Sequence, residues 1–391
     1  MVDATGAVEE VWRADAAGMR AVLARRLGDL DRAEEALQDA VGEALRRWPT
    51  EGVPERPAGW LVTTAWRKAL DGLRREATGR EKAARLALEP PAAPTGDDRL
   101  AMIFACCHPA LSEPVQVALT LSAVSGLSTE EIAAAHLVPT ATMAQRLVRA
   151  KRALRGARFD VPGDRLPAVL ATVYLVFNQG YDAVRRDLAR EGLELACQVA
   201  ALIPTSAEAE GLAALLTLHE ARAATRVDAA GRLVLLADQD RSRWDKTMIT
   251  SGVRRLGRAA SLGSPGPYQL QAAIAAQHAL APSYAATDWA AVRGLYDRLL
   301  ELRPSPVVAL SRAVATGFVD GPAAALAEAD ALEERLAGYR MWHATRADLL
   351  ARLGRTAEAA DATRRALALA TNDAERDLLA RRLAAFPPVS S

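Results

Sequence analysis

Apolar residues recur at the spacing of an amphipathic α-helix along almost the whole chain, and this periodicity restricts the fold more than any other feature. No part of the sequence suggests a sizeable sheet. The first periodic segments, which are separated by Gly28-Asp29 and by a Pro- and Gly-rich stretch, cover 7–26, 30–47 and 57–76. The pattern predicts an all-α fold that begins with a three-helix module.

Length and composition fit a soluble, helix-rich protein with two or three domains. The chain has 391 residues, of which 50% are hydrophobic and 25% are charged. Its formal net charge is +1, so any binding of nucleic acid must come from local clusters of cations. Three cysteines, two of them adjacent, argue against a disulfide framework.

The sequence predicts a cytoplasmic protein without a membrane anchor. Its first residues, MVDATGAVEEVWR, contain acids where a secretory signal has a basic start, and no apolar run of the required length follows. No other apolar stretch reaches the length that a bilayer requires. We expect no membrane partner.

Changes of composition divide the chain into four segments. Residues 79–97 are polar and then rich in Pro and Ala, which predicts a linker. Helical periodicity resumes near Asp98 and runs through Leu111. It restarts at Ser112 or Glu113, at Ser128 and at Thr140, which predicts four short helices. The predicted boundaries are 1–78, 79–97, 98–158 and 159–391.

The last segment contains about a dozen predicted amphipathic helices. Its end forms a helix-turn-helix unit of tetratricopeptide length, with Tyr339 to Leu353, a turn at Gly354, and then Thr356 to Ala370. A further helix follows at 372–383. We therefore predict a helical-repeat extension that is tetratricopeptide-like over 305–387.

The helix predicted at 57–76 combines cations with aromatic residues. Trp60, Leu61, Ala65, Leu70 and Leu73 can line one broad side of this helix. The other side carries polar and charged residues, namely Thr63, Thr64, Arg67, Lys68, Asp71, Arg74 and Arg75. Trp66 lies near them and offers a ring that can stack on an unpaired base. An ordinary solvated helix with core tryptophans is the alternative.

The preceding helix carries the opposite charge. Leu37, Val41 and Leu45 are predicted to face inward, which leaves a group of acidic and amide side chains outward. That outward group is Glu34, Glu35, Gln38 and Asp39. An acidic helix face beside a basic one suggests two different partners.

Residues 128–153 have the pattern of a helix-turn-helix. Ser128 and Glu131 occupy the two positions of a capping box, Leu137 to Pro139 form the turn, and Thr140 is placed to cap the second helix. The predicted buried seam consists of Ile132, Ala133, Leu137, Val138, Met143 and Leu147. The second helix can enter a DNA major groove; a generic helical hairpin with a basic exit is the alternative.

The exposed residues of that second helix suit the reading of duplex DNA. Thr142, Gln145, Arg146 and Arg149 lie along one face, where Arg and Gln offer bidentate hydrogen bonds to base edges. Lys151, Arg152 and Arg155 can neutralise phosphates. Cys106-Cys107-His108 lacks the spacing of a metal site, so we expect it to pack in the core, and we expect no metal or other cofactor.

Both modules resemble one family. AEEALQDAV at 33–41 and PAGWLVTTAWRKALDGLRR at 57–75 resemble region two of a bacterial sigma factor of the extracytoplasmic-function class, and 130–154 resembles region four. Trp66-Arg67-Lys68 stands where the family usually has a small residue, Arg and Asn. The two modules are joined by residues 77–98, about 22 residues that span at most roughly 70 Å, which leaves no space for another folded region.

The resemblance implies core RNA polymerase and promoter DNA, both duplex and melted, as partners. The helix at 33–45 would dock on polymerase through Glu34, Leu37, Gln38, Asp39 and Val41. The minus-ten element would be held by Arg46, Arg47, Trp60, Thr64, Arg67, Lys68, Asp71, Arg74 and Arg75. The minus-thirty-five element would be read by Thr140, Thr142, Gln145, Arg146, Arg149, Lys151 and Arg152.

The resemblance extends into the last segment. DDRLAMIFACCHPAL at 97–111 and stretches at 165–183, 231–245 and 264–279 resemble a subgroup of these sigma factors with a long C-terminal extension. The subgroup implies no dedicated anti-sigma factor, and an extension that contacts the sigma modules or polymerase and controls activity. Phe177 to Tyr181 could contact a ligand or partner, although a helix end capped at Gly180 accounts for most of the pattern.

One polar run in the extension is a candidate control element. Asp238, Gln239, Asp240, Arg241 and Trp244 lie within eight residues, and their charges suggest a buried ion network at a joint between helical layers. Acid-base catalysis is the alternative, but no nucleophile, metal set or phosphate loop accompanies the acids, and we expect no enzyme activity. A helix-turn-helix activator with a tetratricopeptide-like sensor is the alternative for the whole chain.

Overall fold

A computed structural model gives the fold of the chain. The residues that it describes are 4–75, 91, 93–136, 138–157, 161, 163–182, 186–263, 265–370 and 372–386. Within these residues helices account for the regular structure, and the β-type pairing found is an isolated bridge between Val227 and Leu233. The chain forms two compact units, Met1–Leu195 and Ala196–Ser391. The predicted all-α class is confirmed.

The first unit contains eight helices and most of a ninth among its described residues. They are α1 (Ala4–Leu27), α2 (Leu30–Glu51), α3 (Pro57–Arg75), α4 (Gly96–Cys106), α5 (Glu113–Ala123), α6 (Thr129–Ala135), α7 (Thr140–Ala153), α8 (Leu166–Asp182) and α9 (Arg186–Leu202). The chain passes into the second unit within α9. The predicted linker, 79–97, lies outside the described residues except at 91 and 93–97.

Local caps set the boundary between the first two helices. Gly28 has a φ of 69°, a left-handed conformation that glycine adopts without strain. The Asp29 carboxylate then accepts hydrogen bonds from the backbone N–H groups of Asp31 (3.0 Å) and Arg32 (3.3 Å), which starts α2. Helix α2 continues past its predicted end at Arg47, because Pro49 is tolerated in its last turn, and ends before Gly52.

The first and second modules pack together. Helices α1 and α4 are in contact, and the buried Arg20 of α1 donates a hydrogen bond to the carbonyl of Ala123, at 2.8 Å. Arg25 of α1 lies 3.0 Å from the carboxylate of Asp98 in α4. The backbone N–H of Gly156 also donates to the carbonyl of Gly28, at 3.0 Å. The unit therefore has a continuous interior rather than two separate cores.

The second unit contains ten helices among its described residues, besides the end of α9. They are α10 (Ala207–Glu220), α11 (Lys246–Leu262), α12 (Pro267–Leu280), α13 (Trp289–Leu302), α14 (Pro306–Val319), α15 (Pro322–Asp330), α16 (Glu333–Leu336), α17 (Arg340–Arg352), α18 (Thr356–Ala368) and α19 (Asp373–Ala384). Short 3-10 turns join α10 to α11; they are Ala223–Thr225, Leu236–Asp238 and Arg241–Arg243.

Helix α10 is the centre of the first half of this unit. It packs against α11 and α12 and is buried around most of its circumference. Its Glu208 carboxylate accepts hydrogen bonds from the backbone N–H groups of Tyr268 and Gln269, which stabilises the start of α12. The buried Glu210 pairs with Arg255 of α11 at 2.9 Å. These contacts fix the three helices relative to one another.

The last helices lie where the tetratricopeptide-like unit is predicted. Helices α17 and α18 pack as a pair, joined by a turn in which Gly354 has a φ of 74°. Trp342 is fully buried and donates from its indole Nε1 to the carbonyl of Ala329, at 2.7 Å. Helix α19 then packs on α18.

Three predicted helix ends differ from the structure. The helix predicted to run through Leu111 ends at Cys106, because His108 begins a turn that closes on Leu111. Gly180 does not end α8, which continues to Asp182. Pro139, rather than Thr140, precedes the first residue of α7, because a proline fits that position without losing a hydrogen bond. Among the described residues, no helix is both long and apolar enough to span a membrane.

Candidate nucleic-acid interface

Helix α3 presents a basic face. Leu61, Val62, Ala65, Leu70 and Leu73 are buried, whereas the residues of the other side are exposed or half-buried. The exposed members are Arg67, Asp71, Arg74 and Arg75, and the half-buried ones are Thr63, Thr64 and Lys68. The helix thus separates core side chains from cations as its periodicity predicts.

The two tryptophans of α3 exchange their predicted places. Trp66 is only 3% exposed, so the prediction that it stacks on an unpaired base is wrong: its ring belongs to the core. Trp60, predicted to line the buried side, is half-buried and meets Trp48 edge-on at a centroid distance of 5.5 Å. Trp60 is therefore the more accessible of the two indoles.

The cations at the end of α2 are held in weak surface pairs. Arg46 lies 2.7 Å from Glu43, and Arg47 lies 2.8 Å from Glu51 while its guanidinium is 5.9 Å from the Trp60 ring. Lys68 of α3 also contacts Glu43, at 3.4 Å. Exposed pairs of this kind contribute at most about 1 kcal/mol, so phosphate can displace the carboxylates.

Helices α6 and α7 form the predicted helix-turn-helix. The Glu131 carboxylate accepts from the backbone N–H of Ser128 at 2.8 Å, and the Ser128 hydroxyl accepts from that of Glu131 at 3.2 Å, which completes the capping box. The seam between the helices buries Ile132, Ala133, Met143 and Leu147, while Val138 is half-buried. Leu137 lies outside the described residues.

The outer face of α7 is accessible along its length. Thr140, Gln145, Arg149 and Arg152 are exposed, and Thr142 and Arg146 are half-buried. Arg149 donates weakly to the carbonyl of Gln145, at 3.4 Å. Arg146 lowers the pKa of His136, although burial is the larger cause. That histidine is neutral at pH 7, so it adds no charge to the recognition face.

The end of α7 is bound to the start of α2. The Lys151 ammonium pairs with the Glu34 carboxylate and lies 3.8 Å from Asp31. Arg155 pairs with Asp29 at 3.1 Å and with Asp31 at 3.6 Å. We call these five residues the intermodule ion cluster. In this arrangement Glu34 and Lys151 neutralise each other, so neither has its charge free for polymerase or phosphate as predicted.

The predicted polymerase-binding face of α2 is only partly accessible. Leu37 is fully buried, so its prediction as a direct contact is wrong, and its position in the helix interior explains why. Leu45, predicted inward, is 41% exposed. Gln38 and Asp39 are exposed and Val41 is half-buried. The accessible part of the face is therefore shorter and more polar than predicted.

The adjacent cysteines pack in the core. Cys106 and Cys107 are buried, and burial raises the pKa of the Cys107 thiol to about 11. Cys106 contacts the carbonyl of Leu119 through its sulfur. The described residues include no group of three or more His, Cys, Asp or Glu side chains placed to hold a metal ion.

The polar run of the extension is not the buried ion network that its charges predict. Asp238 and Asp240 are exposed. Asp240 accepts a hydrogen bond from the backbone N–H of Ser242 instead of pairing with a buried cation. Arg241 donates to the carbonyls of His278 and Ala281. The network is instead built on backbone carbonyls and neutral groups.

The neutral part of this network is buried. Gln239 donates to the carbonyl of Val234 at 3.2 Å. Trp244 donates from Nε1 to the Thr225 hydroxyl at 2.9 Å, and the Arg241 guanidinium lies 4.5 Å from the Trp244 ring. Together these residues fix the segment between α10 and α11.

Periodicity and spacing missed the contacts that join the two modules. Arg20 lies on a helix that showed no sign of a buried charge, yet it is only 7% exposed. Arg155 was predicted only as a phosphate contact. Such contacts join residues more than a hundred positions apart, and no local pattern in the sequence encodes them.

Comparison with known families matches three parts of the chain. Sigma-70 region 2 matches 13–78, sigma-70 region 4 matches 101–154, and a family of unknown function, DUF6596, matches 165–260. A curated, uncharacterized protein of Rhizobium meliloti (strain 1021) is 43% identical over 378 residues, which cover 90% of this chain and 89% of that protein. The similarity therefore includes the extension.

Proposed function

Because the chain belongs to the sigma-70 family, with regions 2 and 4 and a helical C-terminal extension, we propose that it directs core RNA polymerase to its promoters and helps to melt them. Its general role as a sigma factor in promoter recognition and transcription initiation follows from the two regions. The proposal adds which residues contact polymerase and each promoter element, and it adds control of activity by the extension.

One observation supports the proposal most strongly: a single compact unit carries two different surfaces that suit DNA. Helix α7 offers an exposed face with Gln145 and Arg149, which suits base edges in a major groove. Helix α3 offers cations beside the accessible ring of Trp60, which suits unpaired bases. A protein that only binds duplex DNA has no use for the second surface.

The minus-ten role falls to Arg46, Arg47, Trp60, Thr64, Arg67, Lys68, Asp71, Arg74 and Arg75. Thr140, Thr142, Gln145, Arg146, Arg149, Lys151 and Arg152 would contact the minus-thirty-five element. Glu34, Gln38, Asp39 and Val41 would bind polymerase. Because Glu34 and Lys151 pair with each other, we propose that the intermodule ion cluster opens before both surfaces are used.

The test is transcription reconstituted from purified components. The full chain with core polymerase should yield transcripts from its promoter, and permanganate should modify thymines of the minus-ten element. A helix-turn-helix activator, the alternative, would bind the promoter yet give no transcript unless another sigma factor were added. That result would refute the sigma role of this chain.

We also propose that the extension controls the sigma modules. Support comes from α8, whose Thr172 hydroxyl donates to the Gln116 side chain at 3.1 Å, and whose Gln179 lies 3.5 Å from a ring nitrogen of His136. Both contacts reach the region-four module. Gln239, Arg241 and Trp244 would act by holding the rest of the extension in shape, with Asp238 and Asp240 at its surface.

A cleavable chain tests the control. A protease site inserted between α9 and α10 allows the same preparation to be assayed before and after cleavage, without removing any part of it. Cleavage should change the transcript yield at fixed polymerase concentration. An unchanged yield from the cleaved protein would mean that residues after α9 exert no control.

A further inference from the structure

The first unit contains a cavity that meets the predicted polymerase-binding face at Gln38 and Val41, while its other lining residues lie outside the DNA and polymerase surfaces. Its volume is about 530 Å³, within the roughly 300–1,000 Å³ typical of small-molecule sites. Its walls come from α1, α2, α4, α9 and the turn between α5 and α6. We call it the junction cavity and define it by Trp12, Arg20, Val41, Arg99, Ser125 and Glu191.

Two arginines bring positive charge to one part of the cavity. Arg20 is held by the carbonyl of Ala123, and its guanidinium lies 5.0 Å from the Trp12 ring. Arg99 donates to the carbonyl of Ala14 at 3.4 Å. Arg20 Nε lies 3.9 Å from the Glu34 carboxylate, an ion pair without a hydrogen bond. Within the described part of the chain, the buried Nε of each arginine has no hydrogen-bond acceptor, and Arg99 forms no ion pair. Arg99 therefore keeps most of its capacity to bind an anion, and Arg20 keeps part of it.

Two carboxylates bring negative charge from α9. Glu191 and Glu194 are one helical turn apart, and both line the cavity. Burial raises the pKa of Glu191, and the neighbouring Glu194 adds to the rise. Among the residues that the structure describes, Glu191 forms no ion pair, although Arg99 is near enough to oppose the rise of its pKa. Glu191 is half-buried, and a carboxylate removed from water without a close cation is costly, so a ligand that brings one would bind favourably.

The remaining wall is apolar. Val8, Trp12, Val41 and Val124 offer aliphatic groups and one large ring surface. This combination of an apolar wall with two arginines and the two carboxylates of α9 restricts the ligand. A simple anion would leave the carboxylates unpaired, and a simple cation would do the same to the arginines. A nucleotide would bring several negative charges toward three carboxylates, because Glu9 also lines the cavity.

We propose that the junction cavity binds a small zwitterion of the amino-acid class with an apolar side chain. Its ammonium group pairs with Glu191 and Glu194, its carboxylate pairs with Arg99 and Arg20, and its side chain packs on Trp12 and the valines. This site goes beyond the proposed sigma function. Because its walls come from both modules and from α9, an occupied cavity holds the first unit in the arrangement described above.

The test is calorimetric titration of the full chain, without polymerase or DNA. The probes are L-phenylalanine, L-leucine and L-methionine, each with its amide, which lacks the carboxylate, and its desamino acid, which lacks the ammonium. At least one amino acid should bind at one site, and both of its analogues should bind at least about tenfold more weakly. No binding by any of the three, or equal binding of an amide, would overturn the proposal.

Variants assign the binding to this cavity. Glu191→Gln and Arg99→Gln, which keep the approximate shape of the side chains, should each weaken binding at least about tenfold. Glu301→Gln and Arg298→Gln, which change exposed residues of the second unit, should leave it unchanged. Unaltered binding in both cavity variants would place the ligand elsewhere.

Two further measurements separate this proposal from the others. Thermal melting monitored by circular dichroism identifies any variant that fails to fold, and Trp12→Leu then serves as the replacement, with the same expected loss. Because binding is measured without transcription, an empty cavity would leave the sigma role intact. A chain that bound an amino acid but gave no transcript would refute that role alone.

Discussion

At the scale of single residues, burial decides which of several similar side chains can meet a partner. Trp60 and Trp66 lie on the same helix, one and a half turns apart, and differ mainly in how far each ring is covered. Arg149 and Lys151 lie on α7, yet only Lys151 is committed to carboxylates of another helix. Residue type alone does not distinguish these cases.

The two tryptophans give matched variants with opposite outcomes. Trp60→Ala should leave the fold intact and weaken the binding of melted minus-ten DNA by about 1 to 3 kcal/mol, the contribution of a base stacked on a ring. Trp66→Ala should instead lower the free energy of unfolding by about 3 to 5 kcal/mol, because it empties a core position. Fluorescence anisotropy with single-stranded DNA and urea denaturation measure the two effects. Normal DNA binding by folded Trp60→Ala would contradict the assignment.

Arg149→Ala separates base reading from phosphate contact. If Arg149 reads a base, the variant should lose about 1 to 3 kcal/mol of discrimination between the promoter and a sequence changed at one position. Competition binding at two salt concentrations measures this loss. Arg298→Ala is the control for an exposed arginine outside the DNA-binding modules. Unchanged discrimination together with a smaller salt dependence would make Arg149 a phosphate contact.

At the scale of helices, close approach fixes which elements pack and in what register. Gly192 on α9 is the clearest example in the first unit: a Cβ atom there would lie 2.6 Å from the backbone nitrogen and Cα of Phe177 on α8. A Cβ atom added at Gly257 on α11 would meet no neighbouring atom within 4 Å. The first glycine is needed for packing and the second is not.

These two glycines predict opposite changes of stability. Gly192→Ala should lower the free energy of unfolding by at least about 1 to 3 kcal/mol, because the backbone of α8 must move. Gly257→Ala should raise it by about 0.5 to 1 kcal/mol, the usual gain for alanine over glycine inside a helix. Chemical denaturation of both variants provides the measurement. A neutral Gly192→Ala would mean that α8 and α9 are not packed this closely in solution.

The intermodule ion cluster predicts a change in the affinity of the chain for core polymerase. Lys151→Ala removes the closer of the two cations beside Glu34, the other being Arg20 at 3.9 Å, so core polymerase should bind the variant several-fold more tightly in the absence of DNA. The neighbouring Arg152→Ala, which changes an exposed cation outside the cluster, should not alter that affinity. Surface plasmon resonance with immobilised core enzyme compares them. Equal affinity in wild type and Lys151→Ala would rule out competition at this surface.

The positions of the helices could be predicted from the sequence, but the contacts between modules could not. Periodicity located α1, α2, α3 and the helix-turn-helix to within a few residues, because each buries a regular stripe. It misplaced Trp66 and Leu45, since residues near the edge of a stripe can turn either way. It offered no indication of the junction cavity, whose walls come from segments between Val8 and Glu194.

At the scale of the whole molecule, the two units carry ionisable groups whose shifted pKa values change stability in opposite directions as the pH falls. In the second unit, burial and neighbouring arginines lower the pKa of His278 to about 4 and that of His219 well below its usual value. In the first unit, burial raises the pKa of Glu191. Acid should therefore affect the stability of the two units differently.

The histidines predict that acid destabilises the second unit. A histidine whose folded pKa lies below its unfolded value of about 6.5 binds fewer protons when folded, so stability is complete above that pH and falls as pH drops toward 4. His278 alone would account for up to about 2 kcal/mol at about pH 5. Thermal melting at about pH 7.5 and about pH 5 measures the loss.

A matched variant shows whether His278 is the source of that loss. His278→Gln removes its titratable group and should flatten the pH dependence of the second unit's melting transition. The same loss in the variant and in wild type would assign the effect to other residues.

The hydrogen bond from the amide of Gly156 to the carbonyl of Gly28 has a consequence for how this family can diverge. Because it joins backbone atoms, this one contact between the two modules does not itself depend on the identity of any side chain. The surrounding charges at 29, 31, 34, 151 and 155 can then be changed one at a time, each shifting the strength of the contact without moving it. Selection can thus adjust how strongly the two modules of a homologous regulator hold together, in small steps, while its architecture stays the same.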